Sequence, residues 1–212
     1  MITKHQYLEH YPIKPDSKLL ILGTIHPHDT NNFQIPFFYG NRNSIWNILS
    51  DAFPDELPKP ISLAGILSFL DHRQIAVSDT IRQCRRMNST ALDEDLVPEI
   101  LNKEVVEQIR KSNIERILCT SGFAKNNAFK LFYEDILGLK ITSEIRNARK
   151  VMLQPRLFGR PVLTTVLYSP SGSSNIALSK NPLYLQNAIQ YRTSLRPVYD
   201  FKVDYYREQF AI

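Results

Sequence analysis

The sequence predicts an α/β protein, a three-layer α/β/α sandwich around a central four-stranded parallel sheet, on three observations. Four short segments, residues 18–24, 75–80, 116–122 and 161–168, are continuous aliphatic or β-branched runs of the kind found in strands buried on both faces. Helical periodicity fills much of the chain between them, and connections of that length join parallel strands through right-handed crossovers. The third observation is size: 212 residues, 43% hydrophobic, with no linker, repeat or low-complexity tract. That is one domain over residues 1–212, with a full core and no need of disulfide or metal staples.

Taken in order, the strand at 18–24 runs into Ile25-His26-Pro27-His28-Asp29, and a helix over 43–53 sets Ile45, Trp46, Ile48 and Leu49 on one face. Further helices are predicted over 62–69, 102–111, 124–137 and 179–194. Residues 140–158 fit neither period and are expected to form a hairpin or irregular loop. The aromatic tail from 196 onward is expected to pack on the surface. The apolar runs fall far short of the roughly 20 residues of a membrane helix, and the start Met1-Ile2-Thr3-Lys4-His5-Gln6 lacks the apolar stretch of a secretory signal. A cytoplasmic protein without a membrane partner is the expectation. Cys84 and Cys119 are too few and too far apart for a cysteine-rich metal site, and are expected to be buried thiols. The 26 basic against 21 acidic residues leave a net charge of +5, which favours a polyanionic partner.

Polar residues follow each predicted strand. In an open parallel sheet, ligands bind at the carboxyl ends of the strands, so four loops are candidates for one site. The first carries His26, His28 and Asp29, which could position a water; a helix-capping surface loop is the competing account. A metal site built on the same three residues is a weaker alternative. The second carries Asp79 and the basic trio Arg82, Arg85 and Arg86, suited to phosphate or simply to a solvated charged face. The fourth, Ser169-Pro170-Ser171-Gly172-Ser173-Ser174-Asn175, could hold a phosphate on backbone amides, or be a plain turn. Between them, Phe37-Phe38-Tyr39-Gly40-Asn41-Arg42-Asn43 sets three aromatics before a polar run. Three adjacent rings cannot share one direction, so at least one should be core and one exposed or facing ligand.

Four motifs in order resemble the uracil-DNA glycosylase superfamily, most nearly its hypoxanthine-type and mismatch-specific branches. Phe38-Tyr39-Gly40-Asn41-Arg42-Asn43-Ser44-Ile45-Trp46 resembles their aromatic-to-Asn-to-Trp signature. Ser78-Asp79-Thr80 with Gln83-Cys84-Arg85 and Ser89 is similar to a Trp-Asp-Val, Cys-x-Arg and Ser pattern. Ser121-Gly122 and Ser169-Pro170-Ser171-Gly172 resemble the later Asn-Gly and Asn-Pro-Ser-Gly motifs. Three departures stand out. Gly23-Thr24-Ile25-His26-Pro27 has one residue more than the usual first motif and lacks its Asn, Ser121 replaces an Asn, and Ser173 stands where several members carry a wedging Leu.

The resemblance implies the sheet order 2-1-3-4 and a monomeric, monofunctional DNA glycosylase that removes a deaminated base, uracil or hypoxanthine, in base-excision repair. Neither metal nor other cofactor is implied. Asn43, His26 and Asp29 would do the catalytic work near the sugar. Phe38 would stack on the extruded base, while Tyr39, Arg42, Asp79, Ser121, Ser169, Ser171, Gly172, Ser173 and Ser174 would contact base or DNA. Two other classes compete: a non-catalytic nucleic-acid or nucleotide binder of the same fold, and a metal-dependent hydrolase.

Overall fold

The computed structural model describes residues 1–31, 33–42, 44–88 and 92–211. Its described strands are β1 (Ile2–Lys4), β2 (Leu19–Gly23), β3 (Ile75–Asp79), β4 (Ile81–Arg86), β5 (Leu96–Leu101), β6 (Arg116–Cys119), β7 (Lys150–Leu153) and β8 (Val162–Val166). Its described helices are α1 (Ser44–Ala52), α2 (Leu63–His72), α3 (Glu104–Arg110), α4 (Ala128–Lys130), α5 (Ser143–Ala148), α6 (Pro155–Phe158), α7 (Asn175–Leu178), α8 (Pro182–Asn187) and α9 (Pro197–Phe210). The chain divides into two compact units, Met1–Asn32 with Gln74–Leu167 and Phe33–Arg73 with Tyr168–Ile212.

The first unit holds both sheets. β3, β2, β6 and β8 lie side by side in that order, each pair parallel. β7 adds a fifth strand antiparallel to β8, so the sheet is mixed rather than the purely parallel four-stranded sheet expected. Every residue of β2 and β3 is buried, which is why their sequences are unbroken apolar runs. On one face Leu20, Leu22, Ile117, Cys119, Val162 and Val166 pack with Val105 and Ile109 of α3 and with Ala128, Phe129 and Phe132. The alternate residues Leu19, Ile21 and Leu118 are equally buried, as the two-residue period of a strand requires.

A second sheet, β1-β4-β5, is wholly antiparallel and has no counterpart in the sequence expectation. Ile81, Cys84 and Arg86 of β4 are buried while Arg82, Gln83 and Arg85 are more open. A buried arginine and a register irregularity at Gln83 broke the alternation that would have marked the strand. Three further expectations change. The region 140–158 contains α5, β7 and α6 rather than a bare loop or hairpin. The helix expected over 124–137 starts at Ala128 and widens into a π-helix over Leu131–Ile136. The helix expected over 179–194 is split, because Pro182 lacks the amide to continue a preceding turn and instead opens α8.

The second unit is helical. The tail expected to pack on the surface is the fourteen-residue α9, which buries Phe201, Lys202, Val203, Tyr206 and Phe210. Tyr184 and Leu178 pack on Phe201, and the Arg207 guanidinium reaches the Ala52 carbonyl at the end of α1. The turn before α1 is tight: a Cβ on Gly40 would lie 1.8 Å from the Ile35 carbonyl oxygen, so only glycine fits there.

Candidate active site

The carboxyl ends of β2, β3 and β6 in the first unit are stitched together by polar groups. The Thr80 amide and hydroxyl donate to the Gly23 carbonyl at 2.9 and 3.1 Å. Asp79 ends β3, and its Oδ2 lies 2.8 Å from His5 Nε2. His5 Nδ1 accepts from the Tyr7 and Leu8 amides, which leaves the ring proton on Nε2, donated to Asp79. His26 lies edge-on to His5 with ring centroids 4.9 Å apart. Beneath them Arg86, buried on β4, donates from Nη2 to the His26 carbonyl at 2.7 Å and from Nε to the Thr3 hydroxyl at 3.2 Å.

His26 does not suit the water-positioning role expected of it. Its Nε2 accepts the Gln6 amide at 3.0 Å and its Nδ1 donates to the Pro27 carbonyl at 2.6 Å. Burial holds the ring's pKa below the ordinary imidazole value. A neutral imidazole with both nitrogens committed to backbone braces the loop and leaves neither nitrogen for a water's proton. Asp29 is exposed, and its Oδ1 accepts the Asn31 amide at 2.9 Å in a local surface turn, where the competing account expected a helix cap. His28 is also exposed, with Nδ1 3.0 Å from the Thr3 hydroxyl. Among the described residues no three His, Cys, Asp or Glu side chains are gathered as metal ligands, and no helix is long and apolar enough to cross a membrane. Both cysteines are buried and free, and burial pushes both thiols up.

A residue that the sequence did not single out completes this end of the unit. Asp93, half-buried at the start of a short turn before β5, accepts from the Thr24 hydroxyl at 2.9 Å, and the nearby Ser121 hydroxyl favours its charged form. Ser121 in turn takes the Ala128 amide at 2.8 Å. Burial raises the Asp93 pKa to about 6 against the opposing effect of those two hydroxyls, with Asp79 adding to the rise and Arg86 opposing it. The first unit thus brings together His26, Asp79 and Ser121 of the expected site, with His5, Arg86 and Asp93 added.

The remaining expected residues belong to the second unit. Phe38 is 1% exposed, its ring edge-on to Phe37 and its carbonyl accepting from Trp46 Nε1 at 2.7 Å. Its ring is core here and offers no open face for a base. Tyr39 is half-buried with a left-handed backbone, φ 59°, and Arg42 is exposed. Asn43 and Ser89 lie outside the described residues. In the serine loop, Ser174 Oγ donates to the Ser169 and Ser171 carbonyls, and the Ser171 and Ser173 hydroxyls lie 2.8 Å apart. Gly172 is exposed.

Beneath that loop lies Lys202, 1% exposed, whose Nζ donates to the Ser171 carbonyl, Ser174 Oγ and Asn175 Oδ1 at 3.1, 3.1 and 2.6 Å. All three ammonium donors meet neutral oxygens, and burial lowers its pKa to about 8. The same unit has a cleft of ≈ 400 Å³ lined by Ser44, Asn47, Gly172, Arg196, Tyr199 and Lys202 among others. Arg196 stands 4.6 Å over the Tyr199 ring, and Asp51 is held by Lys59 and the Tyr199 hydroxyl. Lys202 went unnoticed in the sequence because its aromatic neighbours suggested a surface tail.

These features define an α/β protein with a largely parallel sheet and its buried polar groups at the carboxyl edge. The chain is similar, over 98% of its own length and 98% of the other, to the solution structure of a protein from Methanosarcina acetivorans provisionally described as a uracil DNA glycosylase, with a TM-score of 0.50 and 19% identity. At that identity the likeness is one of fold. No family model and no curated protein matches the chain.

Proposed function

We propose that the protein is a DNA N-glycosylase, removing a deaminated base, uracil or hypoxanthine, by hydrolysis of its bond to deoxyribose at the start of base-excision repair. The observation that carries this reading is the set of buried hydrogen-bonding groups at the carboxyl ends of β2, β3 and β6, in a fold similar to that of a chain described as a uracil DNA glycosylase. The motif resemblance and the charge of +5 support it.

The target nucleotide must leave the stack, at a cost of a few kcal/mol that is smallest for a mispaired base. As the bond breaks, positive charge develops on the sugar and negative charge on the base, so fixed donors and a positioned water lower the barrier. Asn43 serves the sugar side, and Ser121 with Asp79 the site's polar wall. Tyr39, Arg42 and the amides and hydroxyls of Ser169, Ser171, Gly172, Ser173 and Ser174 contact base and phosphate. The protein works on DNA as a cytoplasmic monomer, without metal or other cofactor.

The test is release of uracil, hypoxanthine, xanthine and mispaired thymine from single- and double-stranded oligonucleotides, beside Asn43→Ala. Release of uracil or hypoxanthine, lost in the variant, is the expected result. One observation favours a second reading: the braced His26 and the first motif without its Asn suit a binder of nucleic acid that performs no chemistry. Salt-dependent DNA binding with every base retained would select that binder.

A further inference from the structure

One carboxyl group in the first unit is held in surroundings that favour reaction over support. Asp93 is fixed from three segments. Thr24, the first residue past β2, donates to its Oδ1 at 2.9 Å; the Ser121 hydroxyl, just past β6, lies near enough to the carboxylate to favour its charged form. Asn126 holds its main-chain carbonyl at 2.9 Å and the Leu96 carbonyl at 2.6 Å. Asn126 is itself buried and takes a left-handed backbone, φ 59°, to do so, a local strain that the surrounding structure must sustain. The carboxyl group therefore has a fixed place at the ligand-binding edge of two adjacent parallel strands.

Its side-chain partners carry no charge: two hydroxyls, and the Asn127 amide, whose nitrogen lies 3.2 Å from Oδ2 in the orientation that satisfies both its atoms. Thr24 and Ser121 orient the carboxylate without cancelling its charge, as an ion pair would. The charged groups facing it from neighbouring elements are Asp79 at the end of β3 and Arg86 on β4, with opposite effects. A carboxylate poised near neutrality is a better proton acceptor than an exposed one.

We infer that Asp93 is the general base of the glycosylase reaction, accepting a proton from the water that attacks the sugar. The inference rests on the glycosylase reading above. In the step, the water oxygen bonds to C1′ and the C1′–N bond breaks, its electron pair leaving on the base. One water proton passes to the Asp93 carboxylate and then to solvent, and the departing base anion takes a proton from solvent. Thr24 is its positioning residue.

The deciding experiment measures single-turnover base release and substrate Kd for the wild type, Asp93→Asn and Thr24→Val across pH 5–8, a range that brackets the pKa of about 6. The wild-type rate should rise with pH along a limb centred near 6. Asp93→Asn should lose about 10²–10⁴-fold in rate while its Kd stays within about threefold. Thr24→Val, which removes a hydrogen bond to the ionised form, should move the limb to higher pH. Should Asp93→Asn fail to fold, that displacement decides the matter. An active wild type with an unchanged Asp93→Asn rate, a loss confined to Kd, or an unmoved limb in Thr24→Val overturns the inference and leaves the glycosylase reading standing. A wild type that releases no base overturns both.

Discussion

Asp93 in the first unit and Lys202 in the second are pushed by the same force in opposite directions. Burial raises the carboxyl to about 6 and lowers the ammonium to about 8, so each is shifted toward its neutral form. What they do with the shift differs. Lys202 has spent its three donors on oxygens of residues 171–175, and its charge serves to hold the loop. Asp93 keeps a carboxylate whose hydrogen-bonding side chains among the described residues are neutral, so its charge is left to receive a proton. Desolvation alone therefore does not distinguish a reactive group from a structural one; the partners do.

The comparison can be tested through stability. The largest effect is expected where a buried donor leaves acceptors behind. Arg86→Met strips the His26 carbonyl and the Thr3 hydroxyl of their donor and should cost about 3 kcal/mol in urea unfolding. A cost below about 1 kcal/mol would mean that the first unit's polar end is not rigidly built.

Next comes Lys202. Because its folded pKa is lowered, the unfolded chain holds more protons between about 8 and 10.5, and stability rises with pH through that window. Measured against Lys202→Met, the wild type should gain up to about 3 kcal/mol between those limits. A flat difference would show that the ammonium is hydrated and the loop is held otherwise.

Asp93 gives the smallest shift and the reverse sign. Its folded pKa is raised, so between 3.8 and about 6 the folded state holds more protons and stability falls as pH rises through the window. Asp93→Asn should therefore be more stable than the wild type by up to about 3 kcal/mol at pH 7 and close to it near pH 3.8, as thermal melts would register. A less stable variant at pH 7 would recast Asp93 as a structural support.

Much of the frame was legible before the coordinates. The four parallel strands announced themselves because burial on both faces demands unbroken apolar runs, and Leu19–Gly23 and Ile75–Asp79 are such runs. Asp79, Ser121 and the serine loop could be picked out because they follow strand ends. β4 could not, since Arg86 points inward where alternation demands an apolar residue. α9 was hidden for a similar reason: Lys202 faces its core. Phe38 shows the opposite error, an aromatic whose motif resemblance implied a ring open to a base and whose ring is packed on Phe37.

Local pattern by itself determined the four parallel strands, the helices α1, α2 and α3 and the loops that follow those strands, because each depends on residues a few positions apart. It could not determine that Asp93 meets Thr24 across 69 positions, that His26 spends both nitrogens on backbone, or that a buried lysine braces the serine loop. Those outcomes depend on which distant groups share a low-dielectric space, and a chain acquires such neighbours only once it has folded.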